Sequence, residues 1–227
     1  DDRAAIFTIA TQPTMVQGLS TSEQAAAKIV TIPAATSSVA TAFYDTVTAA
    51  ATYLETAPSH FRRVIIVITD GDDNNSKRIT ATSRAEVNAS NNGQLNASRL
   101  RAGLEAKHRL AVADVQQAAQ KADAIFYSVN PGGPSVRLNQ IAMRAETGME
   151  AIAEATGGTA FIPDGEKDLE RVFRQVGAEL RGQYLLQYYG NSDGPAGQFR
   201  RIQVAVPVRS DVRVRARQGY YPKKDQD

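Results

Sequence analysis

The run Val64 to Ile68, inside Arg62 to Ser76 (RRVIIVITDGDDNNS), constrains this chain more than any other stretch. Its five consecutive apolar residues are all β-branched, with Pro58 and charged residues upstream and an acidic, Asn-rich turn downstream. That pattern predicts a strand buried on both faces, a central strand of a parallel sheet. Ligand sites in open α/β sheets lie just beyond the carboxyl ends of such strands, which points to Thr69, Asp70 and the turn Gly71 to Asn75. Carboxylate and amide oxygens gathered there, without thiol or imidazole, suit a hard cation such as magnesium.

At 227 residues, 42% hydrophobic and 22% charged, the chain is long enough for one large domain or a domain with an appendage. Its apolar runs are too short to span a membrane, and the opening Asp1-Asp2-Arg3 is the reverse of a signal peptide's basic start. With no cysteine there can be neither disulfide nor thiolate metal site. The net charge of +2 is uneven: from Arg181 onward there are nine Lys and Arg against four Asp and Glu.

Along the chain, Ala4 to Ala10 reads as a strand, and Met15 and Val16 as a short edge strand. Ser20 with Glu23 reads as a capping box opening a helix to Ile32, and Ala34 to Ala40 as a loop. Phe43, Val47, Ala50 and Leu54 form one stripe of a helix ending before Pro58, with Thr41 as its N-cap. Ser76 to Leu110 is polar and too long for an ordinary connection, an insertion with some helix. The sequons at Asn88 and Asn96 are assigned no function. A helix from about Arg109 to Ala122 feeds a second buried strand, Ala124 to Val129, which ends in the turn Asn130 to Gly133. Thr147 and Glu150 read as the cap of a further helix closed by Gly157 and Gly158, followed by a short strand, Thr159 to Ile162. Asp164 caps a helix with Leu169, Val172, Phe173, Val176 and Leu180 on one face. From Gln183 the period changes to two, predicting an antiparallel extension in which Leu185 and its neighbours pair with Ile202 to Val206.

This order of parts resembles the von Willebrand factor A fold, and more narrowly the bacterial von Willebrand factor A-related family. The resemblance rests on DDRAAIFTIA, TAFYD (Thr41 to Asp45), VIIVITDGDDN, EATGGTAF, LRGQYLLQYY and VRARQGYY, and covers nearly the whole chain. It implies a doubly wound, mostly parallel α/β sheet over residues 1–181, with a C-terminal antiparallel β extension over 182–227. By motif, Thr41 and Asp70 would be the threonine and aspartate of the family's metal-ion-dependent adhesion site, binding magnesium or another divalent cation. No Asp-x-Ser-x-Ser motif occurs in the sequence, so the resemblance implies an N-terminally truncated fold lacking its first strand, with an incomplete, weak metal site. It further implies a non-enzymatic binding domain that recognises an acidic residue of a protein partner through the cation, in an extracytoplasmic or secreted setting. In the family the missing strand lies between Ala4 to Ala10 and Val64 to Thr69, so those two are expected either about 10 Å apart, two inter-strand spacings, or collapsed together, and not paired antiparallel.

Three alternatives stand beside this reading. Asp70, Asp72 and Asn74 match the first positions of an EF-hand loop, but Asn75 replaces its glycine and Ala81 its bidentate glutamate. Asp70 could serve a hydrolase or phosphotransferase, although His60 and His108, the only histidines, read as surface residues and no Walker-type or Gly-x-Ser-x-Gly motif occurs. Arg213, Arg215 and Arg217, followed by Tyr220 and Tyr221, form a basic strand face that could meet nucleic acid or simply keep an outer sheet face soluble.

Overall fold

A computed structural model describes residues 2–33, 40–58, 61–94, 96–134, 139–188, 197–208, 211–212 and 214–222. The predicted loop at 34–40 (all but Ala40), His60 and Arg213 lie outside them. The chain forms two compact units, Asp1–Tyr53 with Asp72–Val115, and Leu54–Gly71 with Gln116–Asp227.

The first unit opens with an antiparallel hairpin of β1 (Arg3–Thr8) and β2 (Thr14–Thr21), from Arg3 opposite Thr21 to Thr8 opposite Thr14. β2 is far longer than the edge strand expected around Met15, because the strand runs on until Thr21 caps the next helix, α1 (Ser22–Ile29). The capping box is Thr21 with Gln24, one residue beyond the predicted pair. Tyr53 holds the hairpin by accepting from Leu19 N (3.0 Å) and by an edge contact with the Phe7 ring. Residue 53 belongs to α2 (Phe43–Glu55), which buries Phe43, Tyr44, Thr46, Val47 and Ala51.

The polar stretch after residue 76 is largely helical: α3 (Lys77–Thr80), α4 (Arg84–Asn91) and α5 (Ala97–Lys121). α5 begins well before the predicted Arg109. Its N-terminal half is polar and lacks a clean apolar stripe, but Lys107 there pairs with Glu86 of α4 at 2.9 Å. The hydrogen bond from Lys107, with that from the Ser83 backbone, holds the Glu86 carboxyl down to about 2. His108 is buried rather than superficial, its Nδ1 3.1 Å from the Tyr44 hydroxyl. Among the described residues no helix is long and apolar enough to cross a membrane.

The second unit is built on a parallel sheet in the order β3-β4-β5, from β3 (Arg63–Ile68), β4 (Ala124–Val129) and β5 (Ala160–Phe161). β3 and β4 run in register from Arg63 opposite Ala124 to Ile68 opposite Val129. β1 pairs with β2 and β3 with β4, and β1 and β3 belong to different compact units. Among the described residues β3 is at the edge of this sheet, however, and not central. Ile65 and Val67 are buried, but Ile66 and Ile68 are 47% and 57% exposed. α7 (Leu169–Arg181) sets Val172 and Val176 on Tyr127, Val129 and Phe161, with Val64, Ile125, Leu169 and Leu180 packed around them.

α6 (Gln140–Thr156) packs on β4 and is capped by Asn139, not Thr147, which lies mid-helix with its hydroxyl on Met143 O. Its close is as predicted, at Gly157, in the left-handed region with φ 82°. A Cβ on the next residue, Gly158, would stand 1.9 Å from Phe126 O, so only glycine lets the chain pass that close to β4. Asp164 does not cap α7, because a 3-10 turn, Glu166–Asp168, intervenes.

The tail differs most from expectation. Residues 183–188 form no strand, and Tyr189 lies outside the described residues. β6 (Arg200–Arg201) pairs antiparallel with β7 (Gly219–Tyr220), and Ile202 N donates to Gln218 O (2.9 Å). Gln218 N in turn donates to Ala155 O of α6 (3.0 Å), tying the tail to the sheet domain. Gln183 donates to the Tyr127 hydroxyl (3.2 Å) and Tyr188 packs edge-on to Tyr220, which fixes both ends of the 183–188 segment without a ladder.

Candidate functional site

Thr41 was expected to cap α2, and the structure assigns that work to other residues. The first-turn amides of α2 are taken by a loop about thirty residues away: Tyr44 N donates to Asp73 Oδ2 (2.8 Å) and Asp45 N to Ser76 Oγ (3.0 Å). Asp73 is 2% exposed, yet its carboxylate also accepts Asn75 N (3.2 Å), Ser76 N (2.9 Å) and Ser76 Oγ (2.5 Å), so its charge is well solvated by protein donors. Asp45 Oδ2 accepts Lys77 N (3.1 Å) at the start of α3, so carboxylates sit at both helix starts, where the peptide dipoles favour them.

Relieved of capping, the Thr41 hydroxyl donates its hydrogen to Asp72 O (3.0 Å). The Thr41 backbone is clamped as well: its N–H donates to Asn74 Oδ1 (2.9 Å), and its carbonyl accepts Asn74 N (3.1 Å) and Asn75 N (3.0 Å). The hydroxyl oxygen therefore keeps its lone pairs while its orientation is fixed from three sides. Asn74 Oδ1, which the EF-hand alternative needs as a ligand, is engaged in this clamp.

Asp70 is exposed and follows β3 by two residues, at the carboxyl end of a parallel strand as the sequence predicts. Thr69 N continues the ladder to Val129 O (3.0 Å), and its Oγ1 accepts Gly71 N (3.0 Å), which turns the chain away from the sheet. At Gly71, with φ 77°, a Cβ would meet Met149 of α6 at 2.7 Å. Thr41 belongs to the first compact unit and Asp70 to the second. Among the described residues no group of three or more His, Cys, Asp or Glu could hold a metal ion.

Two arginines of the basic tail have acidic partners. Arg215 pairs with Glu179 (2.9 Å), and Arg217 pairs with Asp123 and lies over the Tyr220 ring. Asp73 is the residue that sequence reasoning missed. The available signal was the spacing of Asp73 and Ser76, a carboxylate three residues ahead of free amides at a helix start.

Neither the family models nor the curated proteins give a match to this chain. Among solved structures it is similar to one described as an uncharacterized membrane spanning protein from Vibrio fischeri, at 18% identity and a TM-score of 0.29, over 78% of this chain and 76% of that one. So low a score carries no argument about fold or activity. The extracytoplasmic or secreted setting expected from the sequence is not carried forward; this neighbour is described as membrane spanning.

Proposed function

We propose that this chain is a non-enzymatic, von Willebrand factor A-like binding domain, which recognises an acidic residue of a protein partner through a divalent cation, with Thr41 and Asp70 as ligands. The observation that supports it most is the state of Thr41: Asp73 and Ser76 cap α2, so the threonine is free of that role and its hydroxyl hydrogen points at Asp72 O. A metal-ligating hydroxyl needs this arrangement, hydrogen outward and lone pairs available. Asp70 adds an exposed carboxylate after β3. When bound, the cation would supply an open coordination position for a partner carboxylate, and the residues of this chain would anchor and orient it.

The test is isothermal calorimetry of the chain with magnesium alone. Weak binding is expected, with Kd of about 1 mM, abolished by Asp70→Ala and by Thr41→Val while circular dichroism stays unchanged. Heats that do not differ between the parent and either variant would mean that the acidic turn is only a turn.

A further inference from the structure

We propose that the groove between α5 and the chain of α3 and α4 is a docking site for an acidic amphipathic helix of a protein partner. The two walls run antiparallel: Arg78 meets Asp114, Glu86 meets Lys107, and Asn91 lines one cavity together with Leu100. On the α5 wall Leu100, Lys107 and Asp114 recur every seven residues, with Gly103 and Leu110 between them on the same face. That face is about 21 Å long at 1.5 Å per residue, room for about four turns of a helix laid beside it. Two open cavities lie along it, about 370 Å³ beside Leu100 and Lys107 and about 320 Å³ beside Asp114. A Cβ at Gly103 would stand 3.2 Å from Glu86 Oε1, so the missing side chain lets α4 come close.

The chemistry of the groove selects the occupant. Val87, Leu100 and Leu110 are 45%, 48% and 52% exposed, three half-covered apolar side chains along one course. The pairs Lys107 to Glu86 and Arg78 to Asp114 neutralise each other within the walls, while Lys77 and Arg84 are exposed beside them, Arg84 one helical turn ahead of Val87. Residues 76–110 hold seven Lys and Arg against two Asp and Glu, so the uncompensated charge there is positive. A matching helix carries apolar residues at i, i+3, i+4 and i+7 with carboxylates on its flanks. Nucleic acid fits less well: residues 76–110 contain no Phe, Tyr or Trp on which a base could stack, and the apolar side chains would face phosphates. A polar insertion of this length in a compact domain is a place where binding functions concentrate.

This inference does not rest on the cation reading, and its test is run with a chelator present and with Thr41 and Asp70 intact. A display library of helical peptides, randomised along one face and its flanks, is selected against the full chain. The recovered peptides should combine that apolar spacing with a net negative charge and bind with Kd of about 10 μM in fluorescence anisotropy, more weakly as salt is raised. Leu100→Glu and Leu110→Glu, which change already exposed side chains, should each weaken binding at least tenfold. Lys77→Glu combined with Arg84→Glu should weaken it several-fold. A selection that returns nothing tighter than about 0.5 mM would overturn the proposal. So would recovered peptides that are basic, peptides indifferent to both leucine variants, or displacement of the peptides by duplex DNA or single-stranded RNA. Circular dichroism on each variant separates lost docking from lost fold.

Discussion

β3 and β4 are neighbours of equal length, hydrogen-bonded along their whole course, and they are buried to very different degrees. β4 carries a serine and a tyrosine, yet Phe126, Tyr127, Ser128 and Val129 are all at most 1% exposed. β3 has the more apolar run, yet two of its isoleucines stand about half in water. Composition therefore tells how strongly a strand favours burial, while the number of strands and helices around it decides whether burial is achieved. Among the described residues β4 has a strand on each side and β3 has one, and the core under α7 is built on Tyr127, Val129 and Phe161.

The contrast can be broken most directly by truncation. Phe126→Ala should cost about 3–5 kcal/mol in chemical denaturation, whereas Ile66→Ala should cost less than about 1 kcal/mol, because only the first leaves a cavity. Equal losses would mean that β3 is covered in solution. Gly158→Ala, which drives a methyl group into Phe126 O, should lower stability by about 3 kcal/mol and weaken the hold of α6 on β4. Little change in the thermal midpoint would show that the approach is looser than 1.9 Å implies. Ser128→Ala is the smallest and sharpest test. The Ser128 hydroxyl is buried with no hydrogen-bond partner among the described residues, so its removal should be neutral or stabilising by up to about 1 kcal/mol, an unusual sign for a central strand.

Elements whose signal is local were legible in the sequence. β4 lies where its pattern puts it, Gly157 closes α6, and the α7 stripe meets the sheet through Val172 and Val176, although Phe173 is left 41% exposed. Contacts made across the chain were not legible. His108 looks like a surface residue until Tyr44, 64 positions away, is placed against it. Arg63 looks like a flanking charge, but it is 6% exposed and donates to Ala122 O (2.7 Å) and Ala57 O (2.6 Å), carbonyls just past the ends of α5 and α2, where a cation is favoured. The tail shows a different limit. Alternation marks Gln183 to Tyr188 and Ile202 to Val206 as strand-like but does not name their partners, and Ile202 takes Gln218 instead. At the candidate site, Asp70 follows from strand and turn alone. The freedom of Thr41 depends on Asp73, which no local pattern around Thr41 could reveal.

The capping of α2 by Asp73 and Ser76 also sets an order of events in folding. A helix whose first turn is completed by side chains 29 and 31 positions downstream stays frayed until the intervening chain has closed on it, and that closure carries an entropic cost. If the Asp73 contacts form after the main barrier, removing the carboxylate will speed unfolding much more than it slows folding, which the two arms of a chevron for Asp73→Ala would show. Thr41, held by amides of the same loop, acquires its orientation only in that last step.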